Sequence, residues 1–83
     1  MKESHINVSI TSGNLSDQTY DMRIPVNIET KRLILELEKI FKVQLCQYKY
    51  QLRVVNKGYL LDEGKYLSDF LITDGDTIEV MKN

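Results

Sequence analysis

The sequence has little of the residues that define several protein classes. It contains one cysteine, one proline, four glycines and no tryptophan among 83 residues. A single thiol cannot form a disulfide within the chain, and so little glycine and proline excludes a collagen-like or low-complexity chain. No apolar run approaches the ~20 residues of a membrane-spanning helix. The opening residues 1–5 also lack the apolar stretch of a signal peptide, so we expect a cytoplasmic protein that does not insert into a membrane.

A surplus of charge of one sign is also missing. Eleven Lys and Arg side chains stand against twelve Asp and Glu side chains, which gives a net charge of −1. Because nucleic-acid binding depends largely on cations that neutralise phosphates, we expect no nucleic-acid partner. A content of 42% hydrophobic and 28% charged residues is typical of a globular chain, and the length predicts one domain over residues 1–83.

Extended segments are indicated where apolar residues occur at every second position. In the clearest run, Ile6, Val8 and Ile10 share one face. A second run ends at Pro25, which lacks the amide proton that a strand interior needs. The predicted strands are 6–11, 20–24, 52–55, 59–61 and 77–81.

The apolar period becomes helical between the second and third strands. Leu33, Leu37 and Ile40 recur at the spacing of one helix face. This spacing predicts a helix over about residues 29–42 that packs these side chains on the sheet. Asn27 is the predicted N-cap.

The order of the elements defines the fold class. It is an α+β arrangement, ββαββ, with a short helical turn at residues 67–70 before the last strand. A helix that joins a hairpin to a returning strand predicts a mixed sheet with the helix packed across one face. The opposite face is left to solvent, and a binding surface is most easily built there.

The C-terminal half carries the most specific residue pattern. The run Arg53-Val54-Val55-Asn56-Lys57-Gly58 is followed by Leu67-Ser68-Asp69-Phe70 and by Thr77-Ile78-Glu79-Val80. These runs resemble the C-terminal half of ubiquitin, at a spacing that holds without a gap. Over its whole length the chain more closely resembles the YukD/EsaB family, small ubiquitin-like proteins associated with bacterial type VII secretion.

The resemblance implies a ubiquitin-like β-grasp fold and a non-enzymatic accessory or regulatory role. The implied partner is a protein component of the type VII secretion machinery, and no cofactor is implied. An alternative stays open, namely a general ubiquitin-like cytosolic adaptor that is unrelated to secretion.

A feature of conjugated modifiers is missing from the sequence. Such a modifier needs a flexible tail that ends in Gly-Gly, because an activating enzyme must reach and adenylate its carboxylate. Here the last predicted strand ends at Met81, and the two residues given after it, Lys82 and Asn83, include no glycine. We therefore expect no covalent conjugation.

The solvent face of the predicted sheet holds the candidate protein-binding residues. By the resemblance, Val55 matches the central isoleucine of ubiquitin's recognition patch, and Met81 matches one of its valines. If the third and fifth strands are neighbours, Val55 and Met81 should lie side by side, with Arg53 and Glu79 flanking them. An apolar centre with a charged rim is the usual composition of a modest interface. Isolated exposed apolar residues are, however, also common on surfaces that bind nothing.

Catalytic and metal-binding groups are not indicated. Cys46 and His5 are the single thiol and the single imidazole, and nothing in their spacing places them within hydrogen-bond reach of each other. Asp62-Glu63 and Asp74-Gly75-Asp76 are typical of turns, and they lack the twelve-residue loop of an EF-hand. We expect no catalytic residue, no metal site and no cofactor.

Overall fold

The elements of the chain follow the predicted order. The computed structural model describes residues 5–15 and 18–81. Residues 1–4 and 82–83, on which the expectations about a signal peptide and about conjugation depend, lie outside this range. The elements are β1 (His5–Ser12), β2 (Tyr20–Pro25), α1 (Thr30–Phe41), β3 (Leu52–Val54), β4 (Tyr59–Leu61), a 3-10 turn (Leu67–Asp69) and β5 (Thr77–Val80).

The five strands form one mixed sheet in the order β2-β1-β5-β3-β4. The central strands β1 and β5 run parallel, and the other three neighbouring pairs are antiparallel. The predicted α+β class with a mixed sheet is confirmed. Strands β2 and β4 form the two edges of the sheet.

The core lies between the sheet and α1. The helix buries Thr30, Leu33, Ile34 and Leu37. The buried apolar side chains of the described residues come from the sheet, the helix and the loops: Val8, Ile10, Leu15, Ile24, Leu33, Ile34, Leu37, Leu45, Cys46, Leu52, Val54, Leu61, Leu67, Ile72, Ile78 and Val80.

The predicted burial of Ile40 is wrong, because this side chain is 57% exposed. Viewed down the helix axis at 100° per residue, the arc from Leu33 through Leu37 to Ile34 spans about 100°. Ile40 lies about 20° outside this arc, next to its Leu33 end. The helix therefore packs with the Ile34 side toward the sheet. Ile40 is left at the margin of the contact, in the last turn of α1.

The predicted N-cap at Asn27 is also wrong. Glu29 precedes the first helical residue, and no side chain caps the helix. The chain before the 3-10 turn supplies acceptors for two of the first-turn amides: Thr30 N–H donates to the Lys65 carbonyl at 2.8 Å, and Lys31 N–H to the Glu63 carbonyl at 3.2 Å. A distant backbone segment thus supplies the acceptors that a local side chain normally supplies.

Candidate protein-binding surface

The sheet face that points away from α1, here called the outer face, is mostly polar in the described residues. On each strand its members alternate with residues that are buried or partly buried against the core. It carries Asn7, Ser9, Thr11, Asp21, Arg23, Arg53, Thr77 and Glu79, together with the apolar residues Val55 and Leu60.

The structure brings Arg53 and Glu79 together at the centre of this face. They are direct cross-strand partners on β3 and β5. The Glu79 carboxylate accepts hydrogen bonds from Arg53 Nη2 at 2.7 Å and from Arg53 Nε at 3.1 Å. The side chains are 49% and 30% exposed. An ion pair as open to water as this one adds at most about 1 kcal/mol to stability, so its charges remain accessible to a partner.

Val55 and Met81 are not neighbours, and the prediction that they lie side by side is wrong. Val55 N–H donates to the Thr77 carbonyl at 2.9 Å, whereas Met81 N–H donates to the Gln51 carbonyl at 3.0 Å. The two residues therefore lie at opposite ends of the β3–β5 pair, about 13 Å apart at ~3.3 Å per residue. Met81 is moreover half-buried, unlike Val55.

The apolar neighbour of Val55 is Leu60, which sequence reasoning did not single out. Leu60 on β4 is the direct partner of Arg53, so it lies diagonally across from Val55 on the same face. Diagonal cross-strand residues on one face lie about 7–8 Å apart. Val55 is 45% exposed and Leu60 is 53% exposed. We call these two residues, with the Arg53–Glu79 pair beside them, the Val55–Leu60 patch.

A signal for Leu60 was present in the sequence. Three apolar residues follow one another from Tyr59 to Leu61, and alternation requires the middle one to point away from its neighbours. Leu61 is fully buried, which turns Leu60 to the outer face. Because all three residues of this run are apolar, hydropathy alone does not show which of them is exposed.

A polar cluster around the buried Asp76 supports the Val55 end of the patch. Asp76, only 3% exposed, accepts hydrogen bonds from Asn56 Nδ2 at 2.9 Å and from Thr73 N–H at 2.9 Å, and it pairs with Lys57 Nζ at 2.8 Å. Asn56 Oδ1 in turn accepts from Thr77 N–H at 3.0 Å. These residues are named the Asp76 cluster. They tie the β3–β4 turn to the start of β5.

Electrostatics in the Asp76 cluster favours the charged carboxylate. Burial by itself raises the pKa of Asp76, but the hydrogen bonds from Lys57, Asn56 and Thr73 and the charge of Lys57 outweigh it and hold the pKa below its ordinary value. Asp76 is therefore ionised at neutral pH, and its carboxylate joins the β3–β4 turn to the start of β5.

Cys46 is part of the core. It is 2% exposed, and its Sγ donates to the Met81 carbonyl at 3.2 Å. Burial raises the pKa of this thiol, with Glu38 adding to the effect and a backbone hydrogen bond at Gln51 opposing it. The thiolate, which is the reactive form, is thus disfavoured.

Two further findings concern the described residues. Within the ranges 5–15 and 18–81, no three His, Cys, Asp or Glu side chains come together in a group able to hold a metal ion. The helix in the same ranges is neither long enough nor apolar enough to cross a membrane.

Solved structures with the same architecture show the fold of the chain. One, described as "Molecular Mimicry of SUMO promotes DNA repair", matches with a TM-score of 0.73 and 20% identity, over 96% of this chain and 94% of that chain. The C-terminal ubiquitin-like domain of mouse tubulin-specific chaperone e matches with a TM-score of 0.68 and 15% identity, over 98% of this chain and 89% of that chain. The fold is the predicted ubiquitin-like β-grasp.

Sequence comparison then identifies the family. A family model described as "WXG100 protein secretion system (Wss), protein YukD" matches residues 5–80. The type VII secretion system accessory factor EsaB of Staphylococcus aureus strain Newman is 30% identical over 77 residues, which are 93% of this chain and 96% of EsaB. The same protein of strain COL matches equally well. The chain belongs to the YukD family, as its sequence predicts.

Proposed function

We propose that this protein is an accessory or regulatory factor of a bacterial type VII secretion system and that it acts by non-covalent protein binding. The observation that carries the proposal is the match of residues 5–80 to the model of a family that is described by this secretion system. The relatives in Staphylococcus aureus, named accessory factors, cover nearly the whole chain and support the same role. We further propose a cytoplasmic location, where a protein component of the machinery is the partner.

We infer that the partner binds the outer face at the Val55–Leu60 patch. Two half-exposed aliphatic side chains lie diagonally across from each other, Val55 directly after β3 and Leu60 on β4, with a charged pair beside them. Such an apolar centre with a polar rim matches the composition of small interfaces. Burial of both side chains stabilises a complex by about 1–3 kcal/mol. Arg53 and Glu79 fix the register of the partner, and Met81 marks the far margin of the surface.

Capture of partners from the host bacterium tests this inference. Tagged wild-type protein and the Leu60→Asp and Val55→Asp variants are used as bait, and bound proteins are identified by mass spectrometry. A carboxylate in the apolar centre should reduce recovery of a secretion component at least about tenfold, because the charge loses water on binding. Non-covalent binding also predicts that the partner elutes under denaturing conditions without a mass shift.

Leu71→Asp is the matched control, because Leu71 is 71% exposed in the loop before β5. It introduces the same charge by the same substitution away from the two patch residues. All variants are first checked for the wild-type circular dichroism spectrum and unfolding midpoint. Equal recovery of the same secretion component by wild type and by both folded patch variants would exclude this patch.

A further inference from the structure

Asp74 and Gly75 form a dipeptide that is prone to a spontaneous reaction. The main-chain nitrogen of the residue after an aspartate can attack the aspartate's carboxyl group. This attack is least hindered when that residue is glycine, which has no Cβ atom. Asp74 is the only aspartate in the sequence that precedes a glycine, and no asparagine does. Both Asp74 and Gly75 are exposed, so water reaches them.

The dipeptide occupies the middle of a tight turn. Asp76 N–H donates to the Thr73 carbonyl at 3.2 Å, which closes a turn of four residues. Gly75, the third residue of this turn, has a φ of 89°, as in a type II turn. Thr73 N–H in turn donates to the Asp76 carboxylate at 2.9 Å. The Asp76 cluster therefore depends on the number of backbone atoms between Thr73 and Asp76.

Strand β1 holds both of the groups that react. Asn7 N–H donates to Asp74 Oδ1 at 2.8 Å, and the Asn7 carbonyl accepts from Gly75 N–H at 2.8 Å. We call these two hydrogen bonds the Asn7 clamp. Ring closure requires the Gly75 nitrogen to give up its proton and to approach Asp74 Cγ. The clamp engages this proton and fixes the carboxyl group, so it opposes both requirements.

We propose that Asp74 is a site of spontaneous isoaspartate formation, which the Asn7 clamp suppresses in the folded chain. When the clamp opens, a bond forms between the Gly75 nitrogen and Asp74 Cγ, and the hydroxyl of the protonated carboxyl group leaves with the amide proton as water. The product is a succinimide ring. Water then adds to the main-chain carbonyl carbon of Asp74, and the bond from this carbon to the Gly75 nitrogen breaks. The chain now runs through Cγ, with no change in mass and no oxidation.

The reaction lengthens the backbone of the turn by one carbon atom, because Cβ of Asp74 becomes part of the main chain. This carbon separates Asp76 from Thr73, and the hydrogen bonds that join these two residues are lost. The pairing of Asp76 with Lys57 depends on the same turn. The isomerised chain should therefore unfold at a lower urea concentration than the unmodified chain.

Incubation of the full chain at neutral pH, folded in buffer or unfolded in urea, tests the proposal. Isoaspartate is measured by proteolytic mapping with electron-transfer fragmentation, which separates it from aspartate of equal mass. The internal reference is Asp62, which is exposed and precedes Glu63. In the unfolded chain, isoaspartate should form at Asp74 at least about tenfold faster than at Asp62. Folding should slow the reaction at Asp74 at least about tenfold, because only the opened turn reacts.

Asn7→Pro tests the clamp itself, because proline lacks the N–H that Asp74 accepts. This N–H donates to a side chain and not to a neighbouring strand, so β1 keeps its ladder hydrogen bonds. Lys39→Gly, a substitution inside α1, is the control, and urea is added so that the two folded variants have equal unfolding free energies. Isoaspartate should then form faster at Asp74 in Asn7→Pro.

The proposal is overturned if unfolded wild type forms no more isoaspartate at Asp74 than at Asp62, or if folded and unfolded wild type react at the same rate. Equal rates in folded Asn7→Pro and Lys39→Gly would likewise exclude the Asn7 clamp as the cause of protection. If Asn7→Pro does not fold, the two wild-type rates decide alone. None of these measurements depends on a secretion role.

Discussion

At the scale of single residues, Asp76 is the side chain whose replacement should affect stability most specifically. Asp76→Asn keeps the size of the side chain but removes the charge that pairs with Lys57, and it turns one acceptor of the Asp76 cluster into a donor. We expect the free energy of unfolding to fall by about 1–3 kcal/mol, because the buried side chain loses the charge that accepts these hydrogen bonds and one of its donors loses its acceptor. Chemical denaturation at pH 7 measures this change.

Asp74→Asn is the matched control for this substitution. Asp74 is exposed and accepts a hydrogen bond from Asn7 N–H at 2.8 Å through Oδ1, an oxygen that an asparagine retains. The control should stay within about 0.5 kcal/mol of the wild type. Equal losses of unfolding free energy for Asp76→Asn and Asp74→Asn would show that the Asp76 cluster stabilises the fold no more than the exposed Asp74 does.

The lowered pKa of Asp76 also predicts how the effect depends on pH. The ionised carboxylate is stabilised in the native state, so its contribution is fully present above the pKa of the unfolded chain, about 3.9, and is lost as the pH falls through the lower native pKa. The difference in unfolding free energy between wild type and Asp76→Asn should therefore be constant from pH 7 to 5 and shrink below about pH 4. A difference that stays the same down to pH 3 would contradict this assignment.

At the scale of elements, α1 shows what the sequence could predict and what it could not. Its bounds, Thr30–Phe41, agree closely with the predicted span, because the apolar period depends on local geometry alone. Its cap and the exposure of Ile40 were mispredicted, because the carbonyls of Lys65 and Glu63 and the side of the helix that faces the sheet are set by distant parts of the chain. The burial of Leu45 was missed for the same reason, since the Glu38 carboxylate fixes its loop by accepting from Leu45 N–H at 2.8 Å.

The end of α1 carries a prediction of its own. Lys42 closes the helix in the left-handed conformation, with φ 58° and ψ 39°, and its N–H donates to the Glu38 carbonyl at 2.8 Å. Glycine adopts this conformation without the clash of a Cβ atom. Lys42→Gly should therefore raise the free energy of unfolding by about 0.5–1 kcal/mol, as measured by chemical denaturation.

The comparison for this substitution is Lys39→Gly. Lys39 lies inside the last turn of α1, where glycine is disfavoured and should lower the free energy of unfolding by about 1 kcal/mol. The two lysine-to-glycine changes, three residues apart, thus have opposite expected signs. Destabilisation by both would contradict the role given to the left-handed residue.

At the scale of the whole molecule, the sequence predicts which face of the sheet a strand residue occupies better than it predicts which residues pair across neighbouring strands. The prediction that Arg53 and Val55 point to the outer face is consistent with their exposure. The predicted position of Met81 relative to Val55 was wrong by four residues, because a register shift by an even number of residues between β3 and β5 leaves every side chain on its predicted face. Only long-range pairing reveals that Leu60, and not Met81, lies next to Val55.

The most direct test of the proposed function is export by the type VII system in a host strain that lacks this gene. The strain is complemented with the wild type, with the Val55→Asp, Leu60→Asp double variant, or with Leu71→Asp, each expressed at equal level and shown to be folded. We expect the deletion strain to lose substrate export. Wild type and Leu71→Asp should restore export, and the double variant should not. Full export from the deletion strain, or full restoration by the folded double variant, would contradict a secretion role that depends on the Val55–Leu60 patch.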